Sequence, residues 1–167
     1  QKSITYNHGG QNFEQIISGD YGHLVSGDNG TSIWTNYPGF TIYYSDIVNS
    51  NASSSLDFPG SGYLWLAPLM EHPYSSGKAI LGGGGINGGN HLIELTIQGN
   101  QMSYTELEYN FSGTISAIAY SPIDPSYRYV LTDNGKFYYS SDDGENWIMT
   151  SSFTGPGAHY FYGSTIW

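Results

Sequence analysis

Cysteine is absent from the 167-residue chain, so neither a disulfide framework nor a thiolate metal site is available to it. Basic residues are scarce: Lys and Arg number 4 against 14 Asp and Glu, for a formal net charge of -10. Such a chain repels polyphosphate and anionic lipid, which sets nucleic acid and membrane surfaces aside as partners. No apolar run approaches the roughly 20 residues of a membrane-spanning helix, so membrane insertion is not expected. Charged residues of both signs make up only 11%, far below the roughly 25% of an ordinary soluble domain. The surface must therefore be neutral, polar and aromatic. The lack of cysteine fits an exported bacterial protein, secreted or held at the cell surface. A start at Gln1 without Met fits a processed or partial chain.

What is present reads as strand. Ile4-Thr5-Tyr6, His23-Leu24-Val25, Thr41-Ile42-Tyr43-Tyr44, Leu92-Ile93-Glu94-Leu95-Thr96-Ile97, Ser116-Ala117-Ile118-Ala119-Tyr120, Arg128-Tyr129-Val130-Leu131 and Lys136-Phe137-Tyr138-Tyr139 are short and β-branched or aromatic. Gly, Asn, Asp or Pro bounds each of them. No segment carries a sustained helical period, so the fold class is all-β.

Two landmarks suggest an internal repeat. Ala67-Pro68-Leu69-Met70-Glu71-His72-Pro73 aligns with Ala119-Tyr120-Ser121-Pro122-Ile123-Asp124-Pro125, 52 residues on. Asp28-Asn29-Gly30 and Asp133-Asn134-Gly135 each follow an apolar pair, and they stand two such periods apart, with Gly82-Gly83-Gly84-Gly85 midway. A period near fifty with about four strands per unit suits a β-propeller blade, a small sheet that must cover both faces with its neighbours. Repeats at about 15–66, 67–115 and 116–163 make a β-propeller segment of about three four-stranded blades, with an incomplete blade at each end. The rest of the ring is expected from further blades of the same polypeptide or from a partner chain.

Ser140-Ser141-Asp142-Asp143-Gly144-Glu145-Asn146-Trp147 resembles the Asp box, S-x-D-x-G-x-T-W, of the bacterial neuraminidase repeat, with Asn146 in place of Thr. The wider frame of 67–84 and 116–147 is similar to blades of sortilin-like and xyloglucanase-like propellers. The resemblance implies structural roles for Ser140, Asp142, Gly144 and Trp147: the carboxylate accepts turn N–H groups, glycine permits positive φ, and the indole packs between sheets. Asp28-Asn29-Gly30-Thr31 before Trp34 resembles a D-N-G-T turn of such proteins. The middle unit departs from the pattern, since Asn90 to Asn100 supplies neither the Asp nor the Trp.

Catalytic constellations are incomplete. A sialidase holds its substrate carboxylate with three arginines, and this chain has Arg128 alone, read as a surface or turn residue. A glycoside hydrolase needs two opposed carboxyl groups about 5–9.5 Å apart. Asp20, Asp28, Asp46, Asp57, Glu71, Glu94, Glu106 and Glu108 are available, but as turn caps and exposed strand positions rather than in a catalytic motif. The glycine run at 82–89 lacks the Lys-Ser/Thr of a phosphate loop and reads as a flexible hairpin or bulge. His8, His23, His72, His91 and His159 show no metal-ligand spacing, so neither metal nor cofactor is expected. Sequons stand at Asn29, Asn51 and Asn110.

Aromatics give the functional lead. Tyr37, Phe40, Tyr63 and Trp65 lie among Asn, Ser and Gly, a mixture suited to stacking on sugar rings or docking a protein, although blades also bury aromatics as ordinary packing. The expected function is a noncatalytic extracellular binding or scaffold module for a glycan or protein. The alternative is a fragment of a glycoside hydrolase of the Asp-box propeller type.

Overall fold

The structure, a computed structural model, describes residues 6–8, 11–13, 22–37, 41–48, 53–57, 64–84 and 87–150. Its fold is all-β. A short hairpin, β1 (Tyr6–His8) with β2 (Gln11–Phe13), precedes three four-stranded antiparallel sheets. The first sheet runs β3 (Leu24–Gly27), β4 (Ser32–Tyr37), β5 (Thr41–Asp46) and β6 (Ser53–Asp57). The second comprises β7 (Leu69–Glu71), β8 (Lys78–Leu81), β9 (Ile93–Gln98) and β10 (Gln101–Glu106), and the third β11 (Ile115–Tyr120), β12 (Arg128–Thr132), β13 (Phe137–Ser140) and β14 (Ile148–Met149). In each, hydrogen-bonded order equals chain order. These simple meanders follow from short connections, which favour pairing of sequential strands.

The sheets stack face to face. First strands meet first strands, β3 against β7 and β7 against β11, while the outer strands β6 and β10 touch. This radial arrangement of four-stranded meanders is the blade packing of a β-propeller, and the described chain forms about three blades of one.

Two apolar clusters cement the blades. Trp34, Ile42 and Tyr44 of the first sheet pack with Ala67, Leu69, Ala79, Leu81, Ile93 and Leu95. Ile80 and Leu92 pack with Phe111, Ile115, Val130 and Tyr138. Successive strand side chains point to opposite faces, so Ala79 and Leu81 serve the first cluster and Ile80 the second. That double duty explains why β8 reads as an unbroken apolar run, as strands buried on both faces do.

Polar groups join the same seams. The Asn36 side chain, 2% exposed, accepts a bond from the His23 backbone N–H at 2.7 Å and donates to the Ala67 carbonyl, in the following blade, at 2.6 Å. Asp28 and Asn29 lie at φ 53 and 57 in the β3–β4 turn, a region open to few residues other than Gly, Asn and Asp. Hydrogen bonds hold that turn: the Asp28 carboxylate accepts from Ser32 Oγ and from the Gly77 N–H of the next blade, and the Asp28 N–H donates to Glu71 Oε1.

Two readings from the repeat need correction. Asp28–Gly30 joins the first and second strands of its sheet, whereas Asp133-Asn134-Gly135 joins the second and third of its own. They share turn chemistry but not position; the alignment of Pro73 with Pro125, both in first-to-second-strand turns, does match equivalent places. The glycine run is not a flexible hairpin over its described part. Gly82, Gly83 and Gly84 are buried, the Gly83 carbonyl accepts from the Leu64 N–H at 3.0 Å, and Gly83 sits at φ +64 with the Ile115 carbonyl where a Cβ would go. Glycine there permits close approach of two backbones. Gly83→Ala is expected to cost about 1–3 kcal/mol through backbone displacement, read as a lowered urea midpoint at unchanged slope; an unchanged midpoint would show the approach to be loose.

Candidate functional site

The 140–147 turn joins β13 to β14 and is built from side chain to backbone. Ser140 Oγ donates to Asp142 Oδ1 at 2.7 Å and accepts from the N–H groups of Asp142 and Gly144 at 3.2 and 2.9 Å. Asp142 takes the Asn146 N–H at 2.9 Å on Oδ1 and the Asn146 amide at 2.7 Å on Oδ2. Asn146 thus fills the place of the threonine with one side-chain bond to the same carboxylate. Asp143 and Gly144 follow at φ 60 and 86, so the turn doubles back and brings Trp147 against Phe111, ring centroids 5.0 Å apart. At equivalent places, the middle sheet closes with the two-residue turn Gly99-Asn100 between paired Gln98 and Gln101, a common tight hairpin.

Hydrogen bonds from Asn146, side chain first and then backbone, and from Ser140 lower the Asp142 carboxyl to about 2. A carboxyl whose folded pKa lies below its unfolded value contributes stability above the unfolded pKa, here 3.8, and loses it as pH falls through the folded pKa. Asp142→Asn is therefore expected to be less stable than the native chain at pH 5, with the difference shrinking between about pH 4 and 2. Denaturant midpoints of both proteins across that range check this; a pH-independent gap would show that the carboxylate charge is not what the turn binds.

A cleft of about 360 Å³ opens beside this turn, between the second and third sheets. The 107–114 crossover lines one side, with Leu107, Glu108, Tyr109 and Phe111; Asp143, Gly144, Glu145 and Trp147 line another; His72, Leu92, Glu94 and Arg128 complete it. The opening has a simple cause. β14 has only two residues, whereas β6 and β10, which meet at the neighbouring seam, have five and six. The volume lies near the lower end of the roughly 300–1,000 Å³ of small-ligand sites.

Aromatic rings form one wall. Tyr109 stands 4.8 Å from Phe111 and 6.2 Å from Trp147, centroid to centroid, and Phe111 meets Tyr138 edge to face at 5.1 Å. Such edge-to-face pairs lock ring orientation. The polar wall is ionic. Glu94 holds Lys78 at 2.6 Å and stands 3.6 Å from His72 Nε2. His72 Nδ1 accepts the Tyr74 N–H at 3.3 Å; burial first, and then the positive charge of Arg128, lower its pKa, so the ring is neutral at pH 7. The Arg128 side chain is 9% exposed, and its Nη2 lies 3.4 Å from Asp143 Oδ1. Among the described residues its Nε has no acceptor. Glu108 and Glu145 stand exposed at the edge.

Arg128 is thus a buried cleft residue and not a surface or turn residue. Its place at the start of β12, paired with Ser140, draws the guanidinium under the turn. Glu94 likewise is an ion-pair partner rather than an exposed strand position. Of the other aromatics, Trp65 lies on the β6–β7 crossover and is 43% exposed. Tyr37 ends β4, with its side chain outside the described set, and Phe40 and Tyr63 lie outside the described residues. Tyr109 and Phe111 went unnoticed in the sequence because they sit in a crossover with no motif; the Tyr-Asn-Phe alternation at 109–111 is the only signal there. Among the described residues no group of three or more His, Asp or Glu is placed to hold a metal ion.

No known family model matches the chain, and no curated protein matches it in sequence. Solved structures do. The β-propeller domain of Cps50 (Swd1) from Myceliophteria thermophila aligns over 81% of this chain and 45% of its own, with TM-score 0.60 and 10% identity. The GH74 enzyme of Niastella koreensis aligns over 87% of this chain and 21% of its own, with TM-score 0.59 and 20% identity. YCF48 bound to D1 peptide aligns over 81% and 41%, with TM-score 0.51 and 12% identity. The chain spans less than half the length of each, and these likenesses show its fold to be that of a β-propeller.

Proposed function

We propose that this chain is a noncatalytic binding module of an exported bacterial repeat protein, that its 140–147 turn is an Asp box, and that the cleft beside the turn takes a glycan. The observation that carries the reading is the pairing, in one cleft, of an aromatic wall with unsatisfied hydrogen-bonding groups of both kinds. Arg128 Nε offers a donor, and Glu108 and Glu145 offer acceptors. A sugar hydroxyl both donates and accepts, and a sugar ring presents C–H faces to aromatic rings. A simple anion would meet the carboxylates, and a simple cation would meet Arg128. Trp65, with Tyr37, Phe40 and Tyr63, is kept as a second aromatic surface for a glycan or a partner protein.

The competing reading is a segment of a glycoside hydrolase, favoured by the carboxylates bordering the cleft. Titration of the chain with neutral oligosaccharides, together with a polysaccharide hydrolysis assay, separates them. Binding without turnover, weakened about tenfold or more by Tyr109→Leu, a loss of about 1.4 kcal/mol, is expected. Turnover abolished by Glu108→Gln or Glu145→Gln would make the protein an enzyme, and failure to bind any oligosaccharide would remove the glycan reading.

A further inference from the structure

Resting on the reading of the cleft as a sugar site, we infer that its floor selects an acetamido group, so that the ligand is a glycan of N-acetylated hexosamines. The requirement begins with Arg128. Its guanidinium is nine-tenths buried, its contact with Asp143 is long at 3.4 Å, and its Nε–H has no acceptor among the described residues. A buried donor without a partner is costly, and the cost is relieved by whatever supplies an acceptor. The acceptor has to be neutral, because Glu94, Asp143 and Glu145 border the same space and repel a carboxylate brought beside them. A carbonyl oxygen meets both conditions.

Two further features narrow the group that carries the carbonyl. Leu92, Leu107 and Phe111 line the cleft with Arg128, and Leu92 and Phe111 are almost fully buried. The donor on the floor thus lies beside an apolar surface that a hydroxyl would not use and a methyl group would. Asp143, whose side chain is 51% exposed, can accept a hydrogen bond in addition to its contact with Arg128. Acceptor, methyl and N–H donor occur together in an acetamido group. Attached to a pyranose, it would be anchored at the floor while the ring lies against Tyr109 and Trp147.

The test is calorimetric titration of the 167-residue chain with diacetylchitobiose, cellobiose and digalacturonate. The first two share one β-linked disaccharide skeleton and differ in the acetamido groups. Diacetylchitobiose is expected to bind about tenfold tighter than cellobiose or better. Arg128→Lys, which keeps the charge but lacks the Nε–H at that position, is expected to bring the two affinities within about twofold of each other. Equal binding of both disaccharides by the native chain overturns the acetamido inference and leaves the sugar site standing, as does tighter binding of digalacturonate, which would mean that the floor takes a carboxylate. A preference that survives Arg128→Lys in a variant with a native melting curve removes Arg128 from the selection. If the variant does not fold, the native ratio alone decides. Failure of all three disaccharides to bind takes away the glycan reading itself.

Discussion

Trp34→Ala is expected to destabilise the chain by about 3–5 kcal/mol, the range for truncating a large buried aromatic. Trp34 is fully buried and meets Tyr44 edge to face at 4.8 Å. It projects from β4 into the cluster shared with Leu69, Ala79, Leu81, Ile93 and Leu95 of the following sheet, so the cavity would lie in the seam between two blades rather than inside one. The same substitution should therefore expose amides of both the first and second sheets to hydrogen exchange. Loss of protection confined to β3, β4, β5 and β6 would mean that the blades are less firmly joined than the packing indicates. Because a domain has only about 5–15 kcal/mol of stability in all, the variant should be partly unfolded near its growth temperature.

Asn36→Ala is expected to cost about 2–4 kcal/mol, since it leaves two buried groups, the His23 N–H and the Ala67 carbonyl, each short of a partner. No water-filled space substitutes: a Cβ added at Gly22 would lie 2.6 Å from Asn36 Oδ1. Asn36→Asp separates the two bonds. It keeps the acceptor for His23 but sets a carboxylate oxygen against the Ala67 carbonyl, so it should be no more stable than Asn36→Ala at pH 7 and should gain on it as the pH is lowered and the carboxyl protonates. Chemical denaturation at the two pH values reads this directly. Equal stability of Asn36→Ala and the native chain would remove the interblade role.

How much of this was legible depended on whether the signal was local. β5, β9, β11, β12 and β13 announced themselves because their β-branched and aromatic runs carry their own propensity. β6 did not: Ser53-Ser54-Ser55-Leu56-Asp57 has no strand composition and becomes one by pairing along β5. β14 is two exposed residues placed by the turn before it. The 140–147 turn was readable in full, because its hydrogen bonds run between residues two and four apart. The cleft was not, since Arg128, Tyr109 and Trp147 meet only when the crossover and the turn are folded over each other. Charge counting misled at Arg128, as a lone arginine near a proline turn gives no sign that its guanidinium lies inward.

The middle sheet has one further consequence. Since β8 sends Ala79 and Leu81 to one side and Ile80 to the other, neither flanking sheet can swing away without uncovering residues that sit on the same four-residue strand. Loosening at one seam is thereby felt at the other across the thickness of a single backbone. A ligand that draws the second and third sheets together at their rim would steady the first sheet as well, although it touches nothing there.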